Sequence, residues 1–206
     1  MVVDKLKKLL KYGKIAAKRG LTPGYSGNMS IRYGDKILIT ATGSSNGFLD
    51  EEDISLIDFD GNNLAGNKPS SEKFLHIRFY KERPDINAVL HFHPPFLTAF
   101  AAVGVEPDKN VLPEIVYEFG HIPLAEYAIP GSIELVENTA KYFVDHDIIL
   151  MKNHGVIACG KSVKDAFLKI ETCESYAKMI LMTKLLGSVN TLNTEEVKKI
   201  YELRQQ

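Results

Sequence analysis

The chain has 206 residues, 45% of them hydrophobic, with 25 basic against 26 acidic side chains for a formal net charge of −1. That length can bury one substantial core and no stretch is composed like a linker, which points to a single domain over residues 1–206. Charge this balanced leaves no electrostatic footprint for nucleic acid or an anionic membrane surface, so an anionic ligand has to be caught by a local site.

In chain order, Val3, Leu6, Leu9, Leu10 and Ile15 recur at helical spacing among lysines and predict an amphipathic helix over residues 2–18. This stretch lacks the uninterrupted apolar run of a signal peptide or membrane span, so a soluble, cytoplasmic protein is expected. A turn-rich loop, Gly24-Tyr25-Ser26-Gly27-Asn28, leads to strands over 30–33 and 36–40, joined at Gly34-Asp35 as a tight antiparallel hairpin. Thr42 to Gly47 is a second turn-rich segment, followed by a strand over 54–59 that ends at Asp60-Gly61-Asn62-Asn63. Pro69-Ser70-Ser71 opens a helix from 72 to about 83, with Ser71 as N-cap and Pro84 closing it.

The apolar run 86–90 reads as a strand ending in His91-Phe92-His93, and Pro94-Pro95 starts a short helix over 96–103. Gly131-Ser132 begins a helix through about 145, a strand over 148–151 runs into the turn Asn153-His154-Gly155, and Ser162 caps a helix over 163–186. Residues 194–206 read as an exposed terminal helix. Alternating helix and strand signals imply an α/β or α+β layer architecture. Cys159 and Cys173 form neither a paired framework nor a Cys-x-x-Cys motif, and read as packing residues in a reducing compartment.

Side chains alternate along a strand, so His91 and His93 project from one face, at a strand end where ligands gather. His154, in a second strand-end turn, can supply a third imidazole. Three histidines and one exchangeable position are the pattern of a catalytic zinc centre, although three nitrogens specify only a divalent ion. His76, His121 and His146 lack comparable partners and read as surface or core-edge residues. Glu72 sits in the first turn of a helix, where the helix dipole favours its carboxylate. Beside it Ser70 and Ser71 offer hydroxyls and N–H groups at a helix start, a phosphate site by construction. The loops at Gly27-Asn28 and Thr42-Gly43 are small and backbone-accessible in the same way, so three loops could wrap one phosphate without a lysine.

Taken in order, Gly27-Asn28-Met29-Ser30, Thr42-Gly43, Pro69-Ser70-Ser71-Glu72, His91-Phe92-His93-Pro94, Ala125-Glu126-Tyr127 and Asn153-His154-Gly155 resemble the class II aldolase/adducin family. That family includes aldolases of L-fuculose 1-phosphate and L-rhamnulose 1-phosphate and 4-epimerases of L-ribulose 5-phosphate. The resemblance implies a three-layer α/β/α fold with a central, largely antiparallel mixed sheet, assembled as a homotetramer with active sites between subunits. It implies a substrate-phosphate pocket at Gly27, Asn28, Thr42, Gly43, Ser70 and Ser71, and one zinc ion per subunit on His91, His93 and His154. It further implies that Glu72 ligates the resting zinc and then acts as general base.

Glutamate at position 72 favours an aldolase, most closely one cleaving L-fuculose 1-phosphate to dihydroxyacetone phosphate and L-lactaldehyde, over the epimerases, which tend to carry aspartate there. Where fuculose-type aldolases carry a catalytic tyrosine this chain offers Glu114, an acid also found in methylthioribulose-1-phosphate dehydratases; Tyr117 or Tyr127 could supply a phenol instead. Tyr201 resembles a tyrosine of the aldolase tail that closes over the aldehyde. The intact histidine set with Glu72 argues against a non-catalytic, adducin-like binding module.

Overall fold

In the computed structural model, which describes residues 2–107 and 110–204, strands β1 (Asn28–Tyr33) and β2 (Lys36–Thr40) meet at the expected Gly34-Asp35 hairpin, with Tyr33 opposite Lys36. β3 (Ile54–Asp58) pairs antiparallel with β2, and β4 (Asn63–Ala65), a short edge strand that the sequence does not announce, pairs with β3 across a register shift. Across the other edge of β1 lies β5 (Ala88–Phe92), then β8 (Gly155–Gly160), β7 (Ile148–Met151) and the two-residue β6 (Leu124–Ala125). All pairings are antiparallel except β6 with β7. The sheet is therefore mixed and largely antiparallel, as the resemblance implies.

Period-two alternation sorts the core into two halves. Ile31, Leu38, Leu90, Leu150, Val156 and Ala158 face one side, where α1 (Val2–Lys18), α3 (Pro95–Val103) and α6 (Val163–Leu186) pack. Ile37, Ile39, Ile57, Val89, Ile149, Met151 and Ile157 face the other, covered by α2 (Lys73–Glu82) and α5 (Ile133–Ala140). Both sheet faces are thus covered by helices, giving the three layers. Two further helices, α4 (Pro113–Glu118) and α7 (Thr194–Arg204), pack on each other. No helix among the described residues is long and apolar enough to cross a membrane.

Several boundaries shift for physical reasons. Ser71 does not cap α2: Ser70 Oγ accepts from the Glu72 N–H (3.2 Å), the Ser70 carbonyl accepts from Lys73 N–H (3.1 Å), and Glu72 occupies the N-cap position. α5 stops at Ala140 rather than near residue 145, because the chain tightens into successive i→i+3 turns. Those turns lay Phe143 on Phe79, both fully buried, with ring centroids 3.7 Å apart. The expected terminal helix is present as α7, with Gln205 and Gln206 outside the described residues. Cys159 and Cys173 are buried packing residues with free thiols.

Phe143→Ala removes half of that ring stack from a closed part of the core and should cost about 3–5 kcal/mol of unfolding free energy. Urea denaturation of the variant against the parent chain measures this; a loss below about 1 kcal/mol would show that the α2–α5 layer collapses to fill the space.

Candidate active site

One end of the sheet collects the start of β1, the loop after β2, the residues before α2, the end of β5 and the β7–β8 turn. They line a cleft of about 220 Å³ formed in part by Gly27, Asn28, Thr42, Gly43, Ser70 and Ser71, together with Glu72, His91, His93 and His154. Among the described residues, no lysine or arginine lines it. An isolated bridge between Ala41 and Pro69, with Thr42 N–H to the Lys68 carbonyl (2.9 Å) and Ser70 N–H to the Thr40 carbonyl (3.1 Å), holds two of the three small polar loops side by side. The third is pressed against β5. A Cβ on Gly27, whose φ is +80°, would lie 2.5 Å from the His91 carbonyl oxygen, so glycine is required there by both conformation and space.

His91 and Asn28 are register partners on adjacent strands and point to the same face as Val89. The carbonyl of Val156 can only accept, so His91 Nδ1 carries the proton and donates to it (2.9 Å), leaving Nε2 with its lone pair toward the cleft. His93 Nε2 stands 2.9 Å from that atom, and the His154 ring is edge-on to both, 4.6 Å from His91 and 5.1 Å from His93. One nitrogen from each ring falls within 4.8 Å of the others. Gly155 permits this approach: a Cβ there would meet the Phe92 carbonyl at 2.6 Å and the His93 ring at 2.7 Å. The turn after His93 is fixed from below by buried Glu174, whose carboxylate accepts from the N–H groups of Phe96 (2.9 Å) and Leu97 (2.8 Å) at the start of α3.

Glu72 completes the cluster. Its Oε2 accepts from Asn28 Nδ2 (2.7 Å) and lies 3.3 Å from His91 Nε2, while Oε1 lies 3.4 Å from His154 Nε2 and has no hydrogen-bond donor although it is buried. Burial pushes the Glu72 carboxyl up, but His91, His154 and the Asn28 amide pull it below the usual carboxylate range, so it is ionised. Burial holds His93 and His154 down to about 4 and lowers His91 as well, so all three imidazoles are neutral donors near neutral pH. A buried carboxylate with one orphaned oxygen, beside a cluster of three neutral imidazole nitrogens, is a donor set that fits a divalent cation.

Other expected residues lie elsewhere in this chain. Glu114 is exposed on α4, in a separate depression with Glu118, Phe119, Asp165 and Lys169. Tyr201 sits on α7 with its hydroxyl against Gly120. Tyr117 and Tyr127 are exposed and do not line the cleft. His121 and His146 face each other at a ring separation of 4.6 Å, both half-buried at the edge of the fold, as expected. His76 departs from its expected place at the surface or core edge: it is fully buried beneath Asn28. Tyr25, Ser44 and Pro130 also line the cleft; nothing in their local sequence marks them, since the fold alone brings those loops together.

Residues 7–181 match the family model for the class II aldolase and adducin N-terminal domain. The chain is 41% identical to an L-fuculose phosphate aldolase of Methanocaldococcus jannaschii over 180 residues, covering 87% of this chain and 97% of that one. It is 33% identical to a 3-oxo-tetronate 4-phosphate decarboxylase of Haemophilus influenzae, covering 93% of each. Among solved structures, an L-fuculose 1-phosphate aldolase superposes with a TM-score of 0.90 at 31% identity, over 98% of this chain and 97% of that one. YgbL, a putative aldolase/epimerase/decarboxylase from Escherichia coli, superposes with a TM-score of 0.86 at 30% identity, over 94% and 96% of the two chains.

The depressed imidazoles carry a stability consequence for the metal-free protein. Between about 6.5 and about 4 the unfolded chain takes up protons that folded His93 and His154 refuse, so the contribution of these groups is complete above 6.5 and is lost as pH falls toward 4. Chelator-treated protein should therefore lose stability across that window, with a shallower slope in His154→Asn; equal slopes in urea titrations at stepped pH would contradict the burial of a neutral ring.

Proposed function

The chain belongs to the class II aldolase and adducin family, whose class II aldolases are metal-dependent, and on that premise we propose that it is a zinc-dependent aldolase reversibly cleaving L-fuculose 1-phosphate, or a similar ketose 1-phosphate, to dihydroxyacetone phosphate and L-lactaldehyde. The observation that carries this reading is the convergence of Glu72, the three histidines and three small polar loops in one cleft that no lysine or arginine lines among the described residues. In this reading Gly27, Asn28, Thr42, Gly43, Ser70 and Ser71 bind the substrate phosphate through N–H groups and hydroxyls at strand and helix ends. His91, His93, His154 and, in the resting site, Glu72 hold the ion. A bound zinc ion would serve as a Lewis acid toward the substrate oxygens and stabilise the negative charge left when the carbon–carbon bond breaks.

Glu72 moves the proton. In cleavage the bond between the third and fourth carbons breaks, its electron pair stays with the third carbon, and that carbon takes a proton from the Glu72 carboxyl to become the hydroxymethyl group of dihydroxyacetone phosphate. The fourth-carbon hydroxyl gives its proton to solvent as the aldehyde forms, and Glu72, ionised at rest, first takes one up from solvent, so the protons balance. In synthesis Glu72 removes the proton from the same hydroxymethyl carbon. The subunits are proposed to assemble as a homotetramer, with Glu114 and Tyr201 of a neighbouring copy serving the aldehyde end, since neither reaches the cleft of its own chain.

A second reading is favoured by the decarboxylase relative, which covers 93% of this chain. Removing the carboxyl of a 3-oxo-tetronate 4-phosphate also leaves an electron pair on the carbon next to a ketone, and protonating that carbon again gives dihydroxyacetone phosphate. Both reactions therefore use the same phosphate pocket, cation and proton donor, and they differ only in whether an aldehyde or carbon dioxide departs.

Zinc-loaded protein given L-fuculose 1-phosphate and, separately, 3-oxo-tetronate 4-phosphate separates the two readings. Dihydroxyacetone phosphate released from the first, abolished by chelator and restored by zinc, is the expected outcome; release from the second alone would replace the aldolase with the decarboxylase. Glu72→Gln should lower turnover by about 10²–10⁴ while sparing phosphate affinity, and near-normal turnover would remove Glu72 from its role. His93→Ala should lose the stoichiometric ion by elemental analysis, and full retention would strike it from the ligand set.

A further inference from the structure

Behind Glu72 and Asn28, away from the cleft, a buried line of polar side chains continues through His76, Ser30 and Tyr80, which the proposed chemistry does not use. Glu72 Oε2 meets Asn28 Nδ2 at 2.7 Å, Asn28 Oδ1 meets His76 Nε2 at 2.6 Å, His76 Nδ1 meets Ser30 Oγ at 2.8 Å, and Ser30 Oγ meets Tyr80 Oη at 2.8 Å. Ser30 and His76 are fully buried and Tyr80 is 1% exposed, so their donors and acceptors must be matched by protein groups.

Donor chemistry fixes its direction. A carboxylate only accepts, so the Asn28 amide presents Nδ2 to Glu72 and its carbonyl oxygen to His76. That oxygen only accepts, so His76 Nε2 carries a proton. Burial drives His76 down to about 3, which makes the ring neutral and its Nδ1 an acceptor. Ser30 must then donate to Nδ1 and accept from the Tyr80 hydroxyl, which burial keeps protonated. Every hydrogen in the line points toward Glu72. A flipped Asn28 would set its carbonyl oxygen against the carboxylate and its N–H group against the His76 N–H, two repulsive contacts in a dry setting.

We infer that His76 is a positioning residue: by donating from Nε2 to Asn28 it locks the amide so that Nδ2 holds one oxygen of Glu72 and leaves the other, Oε1, to face His154 and the cleft. Asn28 is thereby committed through its side chain to the proposed general base, although the family resemblance implies a place for it in the phosphate pocket, and it joins the two. This inference rests on the role proposed for Glu72 and says nothing about which ketose is cleaved. His76 touches neither the cleft nor the cluster of three histidines.

His76→Leu removes the donor, whereas His76→Gln places an amide N–H near the former Nε2 and should replace it. With asparagine labelled in ¹⁵N, the Asn28 side-chain resonances, assigned by their absence in Asn28→Asp, should be protected from solvent exchange in the parent and His76→Gln and lose that protection in His76→Leu. All three should bind one zinc ion, and kcat of His76→Leu should fall by about 10–100-fold with KM changed little, His76→Gln recovering most of it. Should His76→Leu be too poorly folded to compare, Ser30→Ala, which leaves Nδ1 without its donor, should weaken protection in part. Equal protection in parent and His76→Leu, or equal loss of kcat in the leucine and glutamine variants, would overturn the inference. The exchange measurement needs no substrate, so a protein that releases no dihydroxyacetone phosphate would sink the aldolase reading while protection still decided the place of His76.

Discussion

A carboxylate buried to 7% exposure, with one oxygen lacking any donor, is the constraint around which the active end of this molecule is arranged. Removing such a charge from water costs several kcal/mol unless other charges or dipoles replace the hydration. Glu72 has the N-terminus of α2 and one amide hydrogen from Asn28, but the imidazoles that face it are held neutral by their own burial. Their pull on the carboxyl is that of protonated rings in acid; near neutral pH they supply lone pairs and no full positive charge. A divalent cation held by the carboxylate and the ring nitrogens would balance the arrangement, which supports the proposal that these groups are a ligand set rather than an ion pair.

The fold meets this demand with rigid parts. Asn28 and His91 are opposed in one antiparallel register, and alternation sends both to the α2 face of the sheet. The Ala41–Pro69 bridge ties the loop after β2 to the approach of α2, and the tight β7–β8 turn delivers His154. Each functional group therefore hangs from a strand end or helix start whose position is set by backbone pairing. This matters for the phosphate role proposed for a cleft that no lysine or arginine lines among the described residues, because N–H groups and hydroxyls bind an anion well only when they are already in place.

The histidines and polar loops were legible in the sequence because their signals are local: a His-x-His at a strand end, a turn at Asn153-His154-Gly155, and serines before a helix. His76 was not, and the reason is instructive. In β1 the polar residues Asn28, Ser30 and Arg32 alternate with Met29, Ile31 and Tyr33, which reads as a strand with one wet face. In α2, Glu72, His76 and Tyr80 recur every four residues as a polar stripe. Neither pattern signals burial alone; only when α2 lies across β1 do the two stripes meet, with Arg32 capping the far end through the Tyr80 carbonyl at 2.6 Å. The N-cap failed in a related way: Ser70 and Ser71 are equivalent as text, and the bridge to Ala41 decides that Ser70 turns inward.

The aldehyde end of the proposed substrate is governed by a different kind of information. Glu114 and Tyr201 lie on two helices that pack on each other, with the Tyr201 hydroxyl against Gly120 just beyond the end of α4. They therefore move as one unit: an assembly that carries Glu114 to a neighbour's cleft carries the helix of Tyr201 with it. The residues proposed to hold the phosphate and the cation, in contrast, all line one cleft of a single chain. That division matches the chemistry of the relatives, since the part of the substrate that becomes dihydroxyacetone phosphate is common to the aldol and decarboxylation reactions, and the departing part is not. A family that varies its leaving group would conserve the half built into each chain's own sheet and vary the half carried on a separable helix pair, and substitutions on α4 and α7 should accordingly alter which substrate is cleaved more than whether the cation is bound.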